Sequence, residues 1–175
     1  MSFRAHLRPV IAATLLLVAA GSGTAAADTG SPTPSTPSLS VSGDVELAPG
    51  LEVFHVVTNS QQTAAGSQAT GQFTGAGELK AGPVNLPIPL SIAGPVTCLT
   101  VRGNTAAFLY PIKEAQPPLL ANLLVNNTSV LFTVTKGNNG LNHVGFVGPL
   151  PSGFFHGCQP TGTPFVFHGT VDITR

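Results

Sequence analysis

Residues 95–112 read PVTCLTVRGNTAAFLYPI, and the fold class turns on this stretch. Two apolar runs flank Arg102-Gly103-Asn104, where Gly and Asn accept the positive φ that a tight hairpin turn demands. In the first arm Val96, Cys98 and Thr100 point to one face while Leu99 and Val101 point to the other, so both faces carry apolar side chains. That pattern is expected of a central strand or a barrel wall.

The flanking sequence extends the same reading. Upstream, residues 51–58 (LEVFHVVT) are rich in β-branched and aromatic residues and lie between Pro49-Gly50 and Asn59-Ser60, which predicts a strand. A weaker, glycine-punctuated strand is expected over residues 72–79. Residues 84–92 (VNLPIPLSI) contain Pro87 and Pro89, which cannot donate to a ladder, so an edge strand or an extended cover segment is expected there. Downstream, residues 129–135 (SVLFTVT), 144–147 and 165–174 (FVFHGTVDIT) read as strands, with a turn at 136–140 (KGNNG).

Helical spacing occurs in one place. Leu119, Leu120, Leu123 and Leu124 repeat at that period behind Pro117-Pro118, and Asn126-Asn127 can end the segment, so one short helix with a core-facing leucine stripe is expected over 117–127. A lone helix argues against a doubly wound sheet. About eight strands separated by Gly and Pro point to an antiparallel β-sandwich or a small β-barrel with one short helix.

The N-terminal region reads differently. Arg4 and Arg8 precede an apolar run over residues 10–20, and Ala25-Ala26-Ala27 supplies small residues for cleavage, so residues 1–27 are expected to be a secretory signal peptide. Residues 28–40 (DTGSPTPSTPSLS) are dominated by Ser, Thr and Pro and are expected to be an extended linker. The globular domain is then 41–175. Of 175 residues 42% are hydrophobic and 8% charged, with 20 Gly and 16 Pro. So little charge excludes a basic nucleic-acid-binding surface, a charged disordered chain and a coiled coil. Without residues 1–27 the chain keeps five basic and seven acidic residues, a net of −2.

Cys98 and Cys158 are the two cysteines, and in an exported chain they are expected to pair. The competing arrangement, a metal site of Cys98, His156, Cys158 and His168, lacks any paired ligand module, so neither a metal nor a cofactor is expected.

The stretch GPVTCLTVRGN at residues 94–104, the later SVLFTVTKGNNG, the second cysteine and the closing strand from Phe167 to Thr174 together resemble small secreted actinobacterial proteins of mycobacterial type and unknown function. The resemblance covers about 80 residues in three pieces and implies a β-fold, export and a disulfide. It implies no reaction. Acidic residues usual around that family's second glycine turn are replaced here by Lys136, Asn138, Asn139 and Asn142.

No G-x-S-x-G elbow occurs, and Gly75-Ala76-Gly77 opens no helix, so it reads as a flexible or bulged strand rather than a phosphate loop. His55, His143, His156 and His168 are the possible bases. The possible acids are Asp44, Glu46, Glu52, Glu78, Glu114 and Asp172, with Glu46 and Glu52 able to approach across a hairpin. His168 and Asp172, four residues apart on a strand, are too distant to act together. The expected function is therefore an exported, non-catalytic β-domain that binds a cell-envelope or extracellular partner, with no nucleic acid and no membrane span. The alternative is a small β-barrel carrier of an apolar ligand lined by Phe54, Phe73, Phe108, Phe132 and Phe146. An interior cavity of about 300–1,000 Å³ separates the two.

Overall fold

A computed structural model describes residues 35–63, 66–125 and 127–175. The expected signal peptide and residues 28–34 of the expected linker lie outside the described residues. Ten strands are described: β1 (Ser38–Ala48), β2 (Leu51–Gln62), β3 (Ala69–Ala81), β4 (Val84–Pro95), β5 (Cys98–Arg102), β6 (Thr105–Pro111), β7 (Glu114–Gln116), β8 (Thr128–Thr135), β9 (Asn142–Pro151) and β10 (Phe165–Thr174). One helix, α1 (Pro118–Leu124), lies between β7 and β8. None of the described helices is long and apolar enough to cross a membrane.

All strands belong to one antiparallel sheet ordered β5-β6-β8-β9-β10-β1-β2-β3-β4-β7, curled into a half-barrel. Antiparallel pairing needs only short turns, and the Gly and Pro content supplies them. At one end the curl is drawn together by backbone bonds from the start of β3 to the start of β5. Ala69 N–H donates to Thr97 O, Val96 N–H to Gly71 O and Leu99 N–H to Ser67 O. These bonds occupy backbone groups that an exposed edge would leave unpaired.

The hairpin of residues 95–112 forms as expected, with Gly103 at φ 64° in its turn and Cys98 in register with Leu109. Its two apolar faces have separate coverings. Leu99, Ala106, Phe108 and Tyr110 face the main core. Cys98, Ala107 and Leu131 form a second buried cluster on the outer face, under Cys158 and Phe155. The Cys98–Cys158 disulfide fastens this outer segment to the hairpin, with Cα atoms 5.9 Å apart. Thr133 and Thr161 share a hydrogen bond of 3.1 Å beside it. β5 stands last in the ladder rather than at its centre, so its double-sided apolarity comes from the outer segment rather than from flanking strands.

Three expectations need correction. β1 begins at Ser38, three residues inside the expected linker, because Leu39, Val41 and Val45 alternate with polar residues and are buried at 1–2% exposure. Strands number ten rather than about eight: β1 and the three-residue β7 carry too little β-branched or aromatic sequence to stand out. The leucine stripe of α1 is divided, since Leu120 and Leu124 pack on the core while Leu119 and Leu123 are 73% and 69% exposed.

β4 fulfils the edge expectation over its first half. β7 pairs only with Ser91–Ala93 of β4, so the segment with Pro87 and Pro89 has β3 on one side alone. Between Ala76 and Glu78 the register slips, which makes the glycine segment of β3 a bulged strand.

Candidate functional site

The curl encloses a cavity of about 440 Å³ on its concave face. Strand alternation places its walls. Val45 and Leu47 of β1, Phe54 of β2 and Phe73 of β3 all point inward, as do Ile88, Leu90 and Ile92 of β4. Tyr110 and Ile112 close the far side with Val130 and Phe132 of β8, Phe146 of β9 supplies a further wall, and α1 covers the opening with Leu120 and Leu124. The floor is deep: Phe73, Tyr110 and Ile112 are each 1% exposed. Leu47, Ile88 and Phe146 keep 40–45% exposure and form the rim.

Glycine lets the cavity walls settle against the sheet. Gly75 and Gly77 occupy inward positions of β3, where side chains would otherwise project. A Cβ at Gly77 would stand 2.9 Å from Cβ of Leu90 and 3.1 Å from Cβ of Ile88. The bulged G-A-G segment thus lets three wall residues, Phe54, Ile88 and Leu90, lie close to backbone.

Four of the five phenylalanines expected as lining are brought to the cavity: Phe54, Phe73, Phe132 and Phe146. Phe108 is not. It is wholly buried against Phe73, Tyr110 and Phe132 at centroid separations of 5.3–6.0 Å, so it supports the floor from behind. Sequence reasoning missed Tyr110 and the aliphatic wall. Tyr110 stacks on Phe73 with centroids 3.9 Å apart. Its inward position follows from its standing two residues after Phe108 on the same strand face, so the signal was present.

Seven titratable residues of β1, β2, β3 and β10 collect on the opposite, convex face. Asp44, on the outer side of β1, accepts from Lys80 Nζ at 2.8 Å and lies 2.6 Å from His55 Nδ1. Lys80 also lies 3.3 Å from Glu78 and 3.8 Å from Glu52. Beside them His168 bonds Glu46, whose other oxygen accepts from Gly50 N–H at 2.6 Å. Two histidines and four acids thus meet in one patch. Glu46 and Glu52 are register partners. His143 and His156 join no such pair among the described residues.

Burial works against ionisation of Asp44, but the Lys80 and His55 bonds outweigh it and hold its carboxyl below the usual range. Glu46 is lowered by the His168 bond and the Gly50 N–H. Lys80 is raised by its bond to Asp44, which exceeds its own desolvation. Asp44, His55 and Glu78 could converge on a metal ion, since their ligand atoms lie within 4.8 Å of one another. The Lys80 ammonium already sits among them, so a metal would have to displace it. Cys98 and Cys158 offer no thiolates, being joined to each other.

A second depression of about 410 Å³ lies along β1, β2, β3 and β10, lined mainly by Ser, Thr and Asn. Comparison with protein families, curated proteins and solved structures found no match to this chain.

Proposed function

We propose that this domain is an exported, non-catalytic binding protein whose ligand is a small apolar molecule held on the concave face of the curled sheet. The observation that carries the reading is the 440 Å³ cavity, whose size falls in the ordinary range of ligand sites and whose walls are apolar. A filled interior was the outcome that would have favoured partner binding over a carrier. Export is supported by the charge and hydropathy pattern of residues 1–27 and by the Cys98–Cys158 bridge, a bond that persists in oxidising compartments.

Magnitude narrows the ligand. Each buried methylene contributes about 0.8 kcal/mol, and association costs on the order of 4–15 kcal/mol, so molecules with fewer than about six carbons gain too little to be held. The ionic patch on the convex face is separated from this cavity by the sheet, and we assign it to joining β1, β2, β3 and β10.

The neutral fluorophore N-phenylnaphthylamine, titrated into the full-length chain, is expected to bind saturably with a blue-shifted emission and a negative heat-capacity change. Absence of saturable binding would overturn the proposal. Native mass spectrometry of protein recovered from the producing culture gives an independent reading, with retained lipid-like mass expected.

A further inference from the structure

Tyr110 is a phenol in a cavity that is otherwise hydrocarbon. The lining contains no charged side chain and no other side-chain hydroxyl or amide. Tyr110 itself is 1% exposed, and among the described residues its hydroxyl has no hydrogen-bond partner. Buried polar groups nearly always have partners, so this one needs an explanation. Ser60 Oγ is the described side-chain oxygen that is both unpartnered and sealed on all sides. Tyr110 Oη is not sealed in this way, and Tyr110 lines the cavity. Burial raises its pKa, so the phenol keeps its proton and remains a donor.

We propose that Tyr110 Oη is the side-chain hydrogen-bond donor at the cavity floor, and that it selects a neutral apolar ligand carrying one carbonyl or comparable acceptor oxygen, bound acceptor end first. This rests on the cavity reading above and adds its polar specificity. Depth fixes the orientation: Tyr110 stands beside the buried Phe73 and Ile112, whereas the rim at Leu47, Ile88 and Phe146 suits the apolar remainder. The same lining rejects a fatty-acid anion, because a carboxylate buried there would meet no cation.

The test uses undecan-2-one and n-dodecane, which have equal numbers of non-hydrogen atoms, as competitors of N-phenylnaphthylamine on the full-length chain and on Tyr110→Phe. Loss of one hydrogen bond is expected to weaken the ketone roughly tenfold in the variant, while the alkane binds as well as before or better. Equal changes for both competitors would overturn the donor role and leave the cavity reading standing. Failure of the fluorophore and of both competitors to bind the unsubstituted chain would overturn the cavity reading itself. A measurement on the unsubstituted chain stands independently of whether the variant folds. The carbonyl stretch of bound undecan-2-one is expected at lower wavenumber than in hexane, and an unshifted stretch would overturn the proposal.

Discussion

The Phe54 ring lies against the backbone of Gly75 on the neighbouring strand, so closely that a Cβ on Gly75 would stand 2.3 Å from Phe54 Cε1. Phe54 is a cavity wall, and its position is therefore set by the absence of a side chain one strand away.

Gly75→Ala is expected to push Phe54 from this position and to destabilise the domain by about 1–3 kcal/mol, the usual cost of overpacking. The affinity for N-phenylnaphthylamine should fall with it. Urea unfolding and a fluorescence titration check the two effects. Unchanged binding in a folded Gly75→Ala variant would mean that Phe54 does not shape the site.

Phe108 and Phe146 should respond differently to truncation. Phe108, fully buried behind the floor, is expected to lose about 3–5 kcal/mol on replacement by Ala. Phe146, 45% exposed at the rim and stacked on Phe165 at 5.5 Å, should lose far less stability but more ligand affinity. Chemical denaturation and ligand titration of Phe108→Ala and Phe146→Ala separate support from lining.

The bridge between Cys98 and Cys158 closes a span of 60 residues. Replacing both cysteines by Ala is expected to cost about 4 kcal/mol on the chain-entropy account, read as a lowered urea midpoint. Ala107 and Leu131, which the outer segment buries, should become accessible to exchange or proteolysis first.

The convex ionic patch predicts a pH dependence whose sign follows from its shifts. Asp44 and Glu46 have folded pKa values below their ordinary 3.8 and 4.5, so their contribution is present above those values and disappears as pH falls through the lower folded ones. Lys80 lies above its ordinary 10.5, so its contribution is present below that pH and disappears as pH rises beyond it. Midpoints of urea unfolding should fall below about pH 4 in the native chain. Asp44→Asn should flatten part of that acid limb, and parallel curves would show that the patch contributes nothing there.

Sequence and structure agree where one signal dominates. The hairpin over residues 95–112 combines turn chemistry with β-branched arms, and both survive folding. β1 was obscured because Ser and Asp supply its outer positions and Gly43 interrupts the inward one, although Leu39, Val41 and Val45 already stand at period two. The ionic patch was invisible for another reason. Asp44 and His55 meet through the β1–β2 register, and His168 reaches Glu46 across 122 residues; spacing along the chain records neither. The cavity was legible only in its aromatics. Its walls Phe54, Ile88 and Leu90 settle against Gly75 and Gly77, whose contribution is space, and residues that act by absence leave no chemical mark in a pattern of polar and apolar letters.

The pairing of β1 with β10 sets an order of events for biogenesis. Ser38 is in register with Thr174, and every residue of that ladder joins the earliest described strand to the latest. β1 therefore waits for its second neighbour until β10 has been synthesised, and contacts so distant in sequence form slowly. A chain that cannot complete its sheet while it is still being made stays threadable, which is the state a translocation channel requires. On the export proposed above, closing the sheet and sealing the Cys98–Cys158 bond belong to the far side of the membrane.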